Sequence, residues 1–594
     1  MGRSDELAVL ADVADAALRG RVAAAVVTGD PGSGKSRLLS EVAERTGVPD
    51  RFHLVGYEPE RKVPLAAASA LLRALDQVGA QDTDALALDA TRAEARSEPI
   101  QILEAAHRAL GTVGPALLLV DDLQWVDDLS LALCHYLVRA AEASGQALAL
   151  IAVARPSANV TSFVASLGSV LPAEHVRQLE LAPLSNDEAL ELATALAPAA
   201  GEAAARELAE KSGGSPFWLE VLARTTSAES DVGRLVTPRL RGGGADAGAL
   251  LALLAVVGRP VALADAADLN AWDVERVEHA TRELVSRGIA VESVGTVRLA
   301  HDLIRDAAAR AVPDERRLEL HRRVGDWLAR IAGSDVQRLR EALGHRHAAR
   351  LPSLDLALRL ARTPRRTLLG EEGLTLLAKI ADESDTSDET AVLLNEEIAT
   401  LASLLARHDV AVERRLLLAE RELDPARRAR ALLEASKSAF ALDDRDGARV
   451  YLTRARDAQS GDELIRLELD VHEAVLELWG ARKEAGRARA HRAVESARRI
   501  FDSDNRARGV LLEALRIEYE AAYQEDDLEA MVRAADDRAA LARGLDDEAH
   551  LTALIAGARA LRRAGRLEDS LQHARYAWDE SRRRVLPRLM LDAG

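Results

Sequence analysis

Residues 22–45 read VAAAVVTGDPGSGKSRLLSEVAER: an apolar run, a glycine-rich turn and an amphipathic stretch in immediate succession. The apolar run stops at Gly29, and the residues after Lys35 carry apolar side chains at helical spacing, so the segment reads as strand, loop and helix. Within it, GDPGSGKS at 29–36 fits G-x-x-x-x-G-K-[ST] at every position. Gly29, Gly32 and Gly34 permit a tight loop whose backbone amides point inward, and the helix that follows adds the positive end of its dipole. Asp30, Pro31, Ser33 and Arg37 complete the loop and the first helical turn. This is a cradle for phosphates: Lys35 is expected to reach the β- and γ-phosphates of a nucleotide, and the Ser36 hydroxyl to ligate its Mg²⁺.

A phosphate-bound Mg²⁺ also needs a carboxylate at the end of a neighbouring buried strand. LLLVDDLQWVD at 117–127 supplies one. Asp121 is expected to orient the metal, and Asp122 to stand where a vigorous ATPase carries a glutamate as water-activating base. The shorter aspartate holds water less well, so hydrolysis is expected to be slow. The chain contains no N-K-x-D guanine-reading motif, which favours ATP by elimination.

Outward from the loop, HLVGY, ALLLVDD, ALALIAVAR and VRQLELA alternate with helical stretches up to residue 182. Strands alternating with helices imply a parallel sheet covered on both faces. The expected fold class is multidomain, α/β followed by all-α. Residues 1–182 read as a P-loop domain and 183–226 as a helical lid opened by a Ser185/Glu188 capping signal. Residues 227–248, in a Gly-, Ser- and Thr-rich stretch, read as a linker. Residues 249–313 suit a winged helix, and 314–594 a helical-repeat solenoid. In the last of these, Ala558, Ser570 and Ala577 around Gly565 have tetratricopeptide-like spacing, with a weaker echo at Ser436, Asp443, Ala448 and Ala455.

With 594 residues the chain is too long for one core. It carries a net charge of −18, which disfavours nucleic acid as a partner for the chain as a whole. The single cysteine, Cys134, excludes an internal disulfide framework and a cysteine zinc site. The apolar runs are too short to span a membrane, and MGRSDELAVL lacks the basic and apolar regions of a signal peptide, so a cytoplasmic location is expected.

Taken in order, GRSDE (Gly2, Arg3, Glu6), GDPGSGKS, VDDLQWVD with Trp125 and Asp127, AVAR ending in Arg155, LAPLSNDEAL, GGSPFWLE and HDLIRDAA resemble the STAND class of AAA+-like signalling ATPases. The likeness is strongest to the large ATP-binding regulators of the LuxR family. The resemblance implies that Arg3 lies on the adenine side, that Pro216 packs near the base, and that Arg155 acts as a sensor beside the γ-phosphate. It also implies that His301 contacts the phosphates of ADP. Lys35, Asp122 and Arg155 would then carry a weak ATPase. ADP would hold a closed state, and an inducer or protein ligand on the repeats would favour ATP, opening and self-association. The LuxR-type helix-turn-helix is not found, so DNA binding by this chain alone is not expected.

Overall fold

A computed structural model describes residues 2–78, 99–198, 201–223, 244–384, 389–458, 461–502, 504–544, 547–583 and 589. The chain divides into two compact units, 1–368 and 369–594, each taken by itself.

The first unit opens with α1 (Ser4–Leu18) and β1 (Val22–Gly29), then α2 (Lys35–Arg45) and β2 (Asp50–Val55). There follow α3 (Ser69–Val78), α4 (Pro99–Leu110), β3 (Ala116–Asp121), α5 (Asp128–Ser144), β4 (Leu148–Ala154), α6 (Ala158–Gly168) and β5 (Val176–Leu181). The strands form one sheet in the order β2-β3-β4-β1-β5, with all neighbours parallel. Every residue of β4 is buried, as the continuous apolar run required for a strand covered on both faces. On one face Leu10, Val13, Ala14 and Ala17 of α1 pack with Ala23, Ala25 and Val27 of β1 and Ile151 and Val153 of β4. The register sets Thr28 beside Ala154 and Val120 beside Ala152, so the loop after β1, Asp121 and Arg155 emerge along one carboxyl edge. In open α/β sheets that edge is where ligands bind.

Three short helices follow: α7 (Asn186–Leu196), α8 (Glu202–Ser212) and α9 (Pro216–Ala223). The capping box at α7 is complete, with Ser185 Oγ accepting from Glu188 N and the Glu188 carboxylate accepting from Ser185 N. Most of the span read as a linker lies outside the described residues, but its end does not. Helix α10 (Ala245–Val257) starts within it, because Glu283 takes the Gly244 N–H at 2.8 Å and Arg276 grips Asp246 in the first turn. Next come β6 (Val261–Ala262), α11 (Leu263–Asn270), α12 (Val274–Ser286), β7 (Ala290–Ser293) and β8 (Thr296–Leu299). The three strands pair antiparallel in the order β6-β8-β7, completing a winged-helix arrangement of helices and a small sheet.

The helices α13 (Asp302–Ala311), α14 (Asp314–Ile331), α15 (Val336–Ala348) and α16 (Leu354–Ala361) also belong to this unit. Residues 314–361 fall within the span expected to form the solenoid, yet they belong to the first unit. In the fold α14 and α15 pack on the winged helix, where Arg259 pairs with Glu341 of α15.

The second unit is helical: α17 (Gly370–Asp382), α18 (Glu389–Leu404), α19 (His408–Arg421), α20 (Pro425–Ala441), α21 (Arg445–Ala458), α22 (Glu463–Leu478), α23 (Lys483–Phe501), α24 (Arg508–Glu525), α25 (Leu528–Ala542), α26 (Asp547–Arg563) and α27 (Leu567–Arg583). The residues picked out for repeat spacing sit where successive helices approach. Ser436 Oγ donates to Ala448 O across α20 and α21, and Ser570 Oγ to Ala558 O across α26 and α27. Asp443 and Gly565 adopt left-handed conformations in the intervening turns. Among the described residues, no helix is long and apolar enough to cross a membrane.

Candidate functional site

The loop between β1 and α2 turns through Gly32 at φ 82° and Gly34 at φ 93°, a region that side chains other than glycine avoid. Gly32 is doubly constrained, since an added Cβ would stand 2.8 Å from Phe217 Cβ. Lys35 is buried, and its ammonium donates to Gly29 O at 2.8 Å and Asp30 O at 2.7 Å. Burial lowers its pKa, with Asp122 the strongest opposing charge. An anionic phosphate oxygen is a stronger acceptor than these carbonyls, so the same ammonium can turn to a nucleotide at little cost.

Ser36 Oγ donates to Asp121 Oδ1 at 3.0 Å, so hydroxyl and carboxylate converge on the spot a shared cation requires. Asp121 is pushed up to about 6, first by burial and then by the adjacent Asp122 charge. A divalent cation would offset both penalties, so this donor set fits Mg²⁺. Asp122 adopts φ 51° and ψ 47°. Its Oδ1 accepts from Gln124 Nε2 at 2.8 Å, while Gln124 Oε1 accepts from Arg155 N at 2.8 Å. Gln124 therefore ties the second carboxylate to the end of β4. The motif VDDLQWVD contains Gln124, but its residue type and place there assign it no role at the site.

Trp125 belongs to the short 3₁₀ turn 123–125 that carries Gln124. Asp127 is a structural hub: its carboxylate accepts from Leu65 N, Ala67 N, Ser130 N and Ser130 Oγ at 2.7–3.2 Å.

From the lid, Phe217 N and Ser215 Oγ both donate to Gly32 O at 3.3 Å, and Pro216 Cγ lies 3.7 Å from the Cβ position of Gly34. From beyond β8, His301 stacks on Phe217 with ring centroids 4.2 Å apart. Phe217, also absent from the sequence candidates, thus joins loop, lid and winged helix. Arg3 donates to Ala182 O at 2.5 Å and to Glu6 at 2.9 Å beside Leu7, Leu184 and Leu192, an apolar wall suited to a flat ring.

One cavity of about 890 Å³ brings together Arg3, Pro31–Arg37, Asp121, Asp122, Arg155, Pro216 and His301. Gly29 and Asp30 stand behind it, supplying carbonyls to Lys35. Arg37 is the outlier, 80% exposed at the rim and turned toward Glu41. The volume lies within the range of nucleotide and cofactor sites.

Residues 1–151 match the AAA ATPase domain family. An uncharacterized protein of Rhizobium meliloti (strain 1021) is 28% identical over 225 residues, 32% of this chain. That alignment spans 21% of the length of the curated relative. Among solved structures, a Signal Transduction ATPase with Numerous Domains (STAND) protein with a tetratricopeptide repeat sensor, from Pyrococcus horikoshii, superposes with a TM-score of 0.53 at 15% identity. The superposition covers 100% of this chain and 85% of the other. Residues 1–151 thus match the AAA ATPase domain family, and the chain is similar in fold to a STAND protein with a tetratricopeptide repeat sensor.

Proposed function

We propose that this protein is a signalling switch that binds ATP and ADP with Mg²⁺, hydrolyses ATP slowly and couples its nucleotide state to the helical repeats. The observation that carries the reading is the convergence of phosphate loop, lid and winged helix on one cavity, joined through Phe217. A ligand spanning those modules shifts a conformational equilibrium only by its differential affinity for their arrangements. When bound, Mg²⁺ would neutralise charge on the phosphate oxygens, and Ser36 and Asp121 are the residues to hold it. Lys35 draws the phosphates, Arg155 senses the terminal one, and Asp122 orients the attacking water. Asp122 is shorter than glutamate and also engaged by Gln124, which supports slow turnover suited to a timer.

In this reading the repeats bind an inducer or protein ligand, and ATP promotes self-association in the cytoplasm. Control of transcription is carried by the likeness of the motifs to LuxR-family regulators.

The direct test is to denature the purified protein and identify the released nucleotide by chromatography, then titrate ATP and ADP with Lys35→Ala as control. Lys35→Ala is expected to lose at least 100-fold in affinity. Failure of the wild type to bind either nucleotide at millimolar concentration would sink the assignment. Equal oligomer sizes in ATP and ADP would instead favour a scaffold with a structural nucleotide. Steady turnover above about 1 per second, lost in Asp121→Ala, would favour a client-remodelling ATPase.

A further inference from the structure

The segment between β2 and α3 is pinned at both ends to the last residue of β3 and the residues after it. At one end Gly56 N donates to Asp121 O at 2.9 Å, and an added Cβ on Gly56 would stand 2.5 Å from Asp122 O. At the other, the Asp127 carboxylate holds Leu65 N at 2.8 Å and Ala67 N at 3.2 Å. Between the pins, the turn Glu58–Pro59–Glu60 faces the winged helix. Arg305 Nη2 donates to Glu58 at 2.7 Å, and Arg259 Nε lies 3.0 Å from Glu60. Pro59 presses on Gly258, where a Cβ would meet its ring at 2.5 Å.

Separating a buried ion pair normally strands a charge. Here each guanidinium keeps a carboxylate outside the turn: Arg259 is bidentate to Glu341 of α15 at 2.9 and 3.0 Å, and Arg305 holds the adjacent Asp306 at 3.1 Å. Withdrawal of the turn leaves neither arginine unpaired. Burial pushes the Glu60 carboxyl up to about 7, with Glu341 adding to the push, and Arg259 is the charge that opposes the shift and holds the carboxylate in the contact. Glu58 is half exposed and contributes a weak pair. The contact is therefore built to open. Both arginines also line the cavity that holds Lys35, so added negative charge there draws on the same two cations as Glu58 and Glu60.

We propose that the turn 58–60 is a reversible latch between the P-loop domain and the winged helix, released when a nucleoside triphosphate competes for Arg259 and Arg305 more strongly than a diphosphate does. The identity of that competitor rests on the switch reading above; the latch contact itself does not.

The test compares the full chain with the double variant Glu58→Gln/Glu60→Gln, which preserves side-chain volume. Hydrogen exchange is followed in β6 and β8, and release of a fluorescent ADP analogue by stopped flow. The variant is expected to exchange at least tenfold faster in both strands and to release ADP at least tenfold faster. Arg305→Gln should speed exchange as Glu58→Gln does, and the two should not add. In the wild type, ATP with Mg²⁺ should speed exchange relative to ADP. Exchange in the double variant within twofold of wild type overturns the latch, and equal exchange in ATP and ADP overturns its trigger. A wild type that binds neither nucleotide refutes the switch reading and the trigger, while exchange without nucleotide still decides the contact.

Discussion

Asp122 is held in a left-handed conformation, one that aspartate tolerates better than most residues because its short side chain bonds locally. Its local partner is Gln124, and the same amide caps the Arg155 N–H at the end of β4. One buried side chain thus ties the second carboxylate to the backbone of Arg155. Gln124→Leu keeps the volume but leaves the Arg155 N–H without its acceptor, a loss expected to cost about 2 kcal/mol. Thermal unfolding should show the lower stability. ATP turnover should fall while ADP affinity stays within a few-fold, because Gln124 bonds neither the phosphate loop nor Ser36; unchanged turnover would remove Gln124 from the site.

At the scale of elements, the solenoid is assembled around small residues that let helices approach. Ser436 is fully buried between α20 and α21, and its single proton goes to Ala448 O. His472 Nε2 on α22, 2.9 Å from the Ser436 hydroxyl, is therefore the donor in that contact. Burial pushes His472 down to about 4, with Lys437 adding to the shift. Its folded pKa lies below the unfolded value, so its contribution is present above about pH 6.5 and is lost as pH falls toward 4. The full shift corresponds to about 3 kcal/mol, an order-of-magnitude figure. Hydrogen exchange in α20 and α22, corrected for intrinsic rates, should accelerate between pH 7 and pH 5. That acceleration should flatten in His472→Gln, and an equal pH response in the variant would assign it to other groups.

At the scale of the molecule, a net charge of −18 opposes the self-association that the switch reading requires. Salt screens that repulsion, with a Debye length falling from about 30 Å at 0.01 M to about 8 Å at 0.15 M. ATP-dependent oligomers should therefore strengthen as salt rises through this range, measured by light scattering at fixed protein concentration. Weakening with salt would mean that the interface is held by opposite charges on complementary faces.

Local chemistry carried much of this protein into plain view. GDPGSGKS needs only neighbouring residues to make a phosphate loop, the apolar runs announce a sheet buried on both faces, and Ser185 with Glu188 forms the capping box its spacing implies. The alternation of strands and helices was enough for the α/β class, as was the period of the rest for a helical array. Contacts between segments far apart in the chain were not legible, because no local pattern encodes them. Gln124 acquires its role only when β4 lies beside β3, and Phe217 only when α9 meets Gly32 and His301. No local pattern sets Glu58 and Glu60 apart, and their partners Arg305 and Arg259 reach them only across the fold. Residue type and spacing determine what a segment can do; tertiary packing decides which distant partners it meets, because desolvation and hydrogen-bond satisfaction are settled only where those partners are brought together.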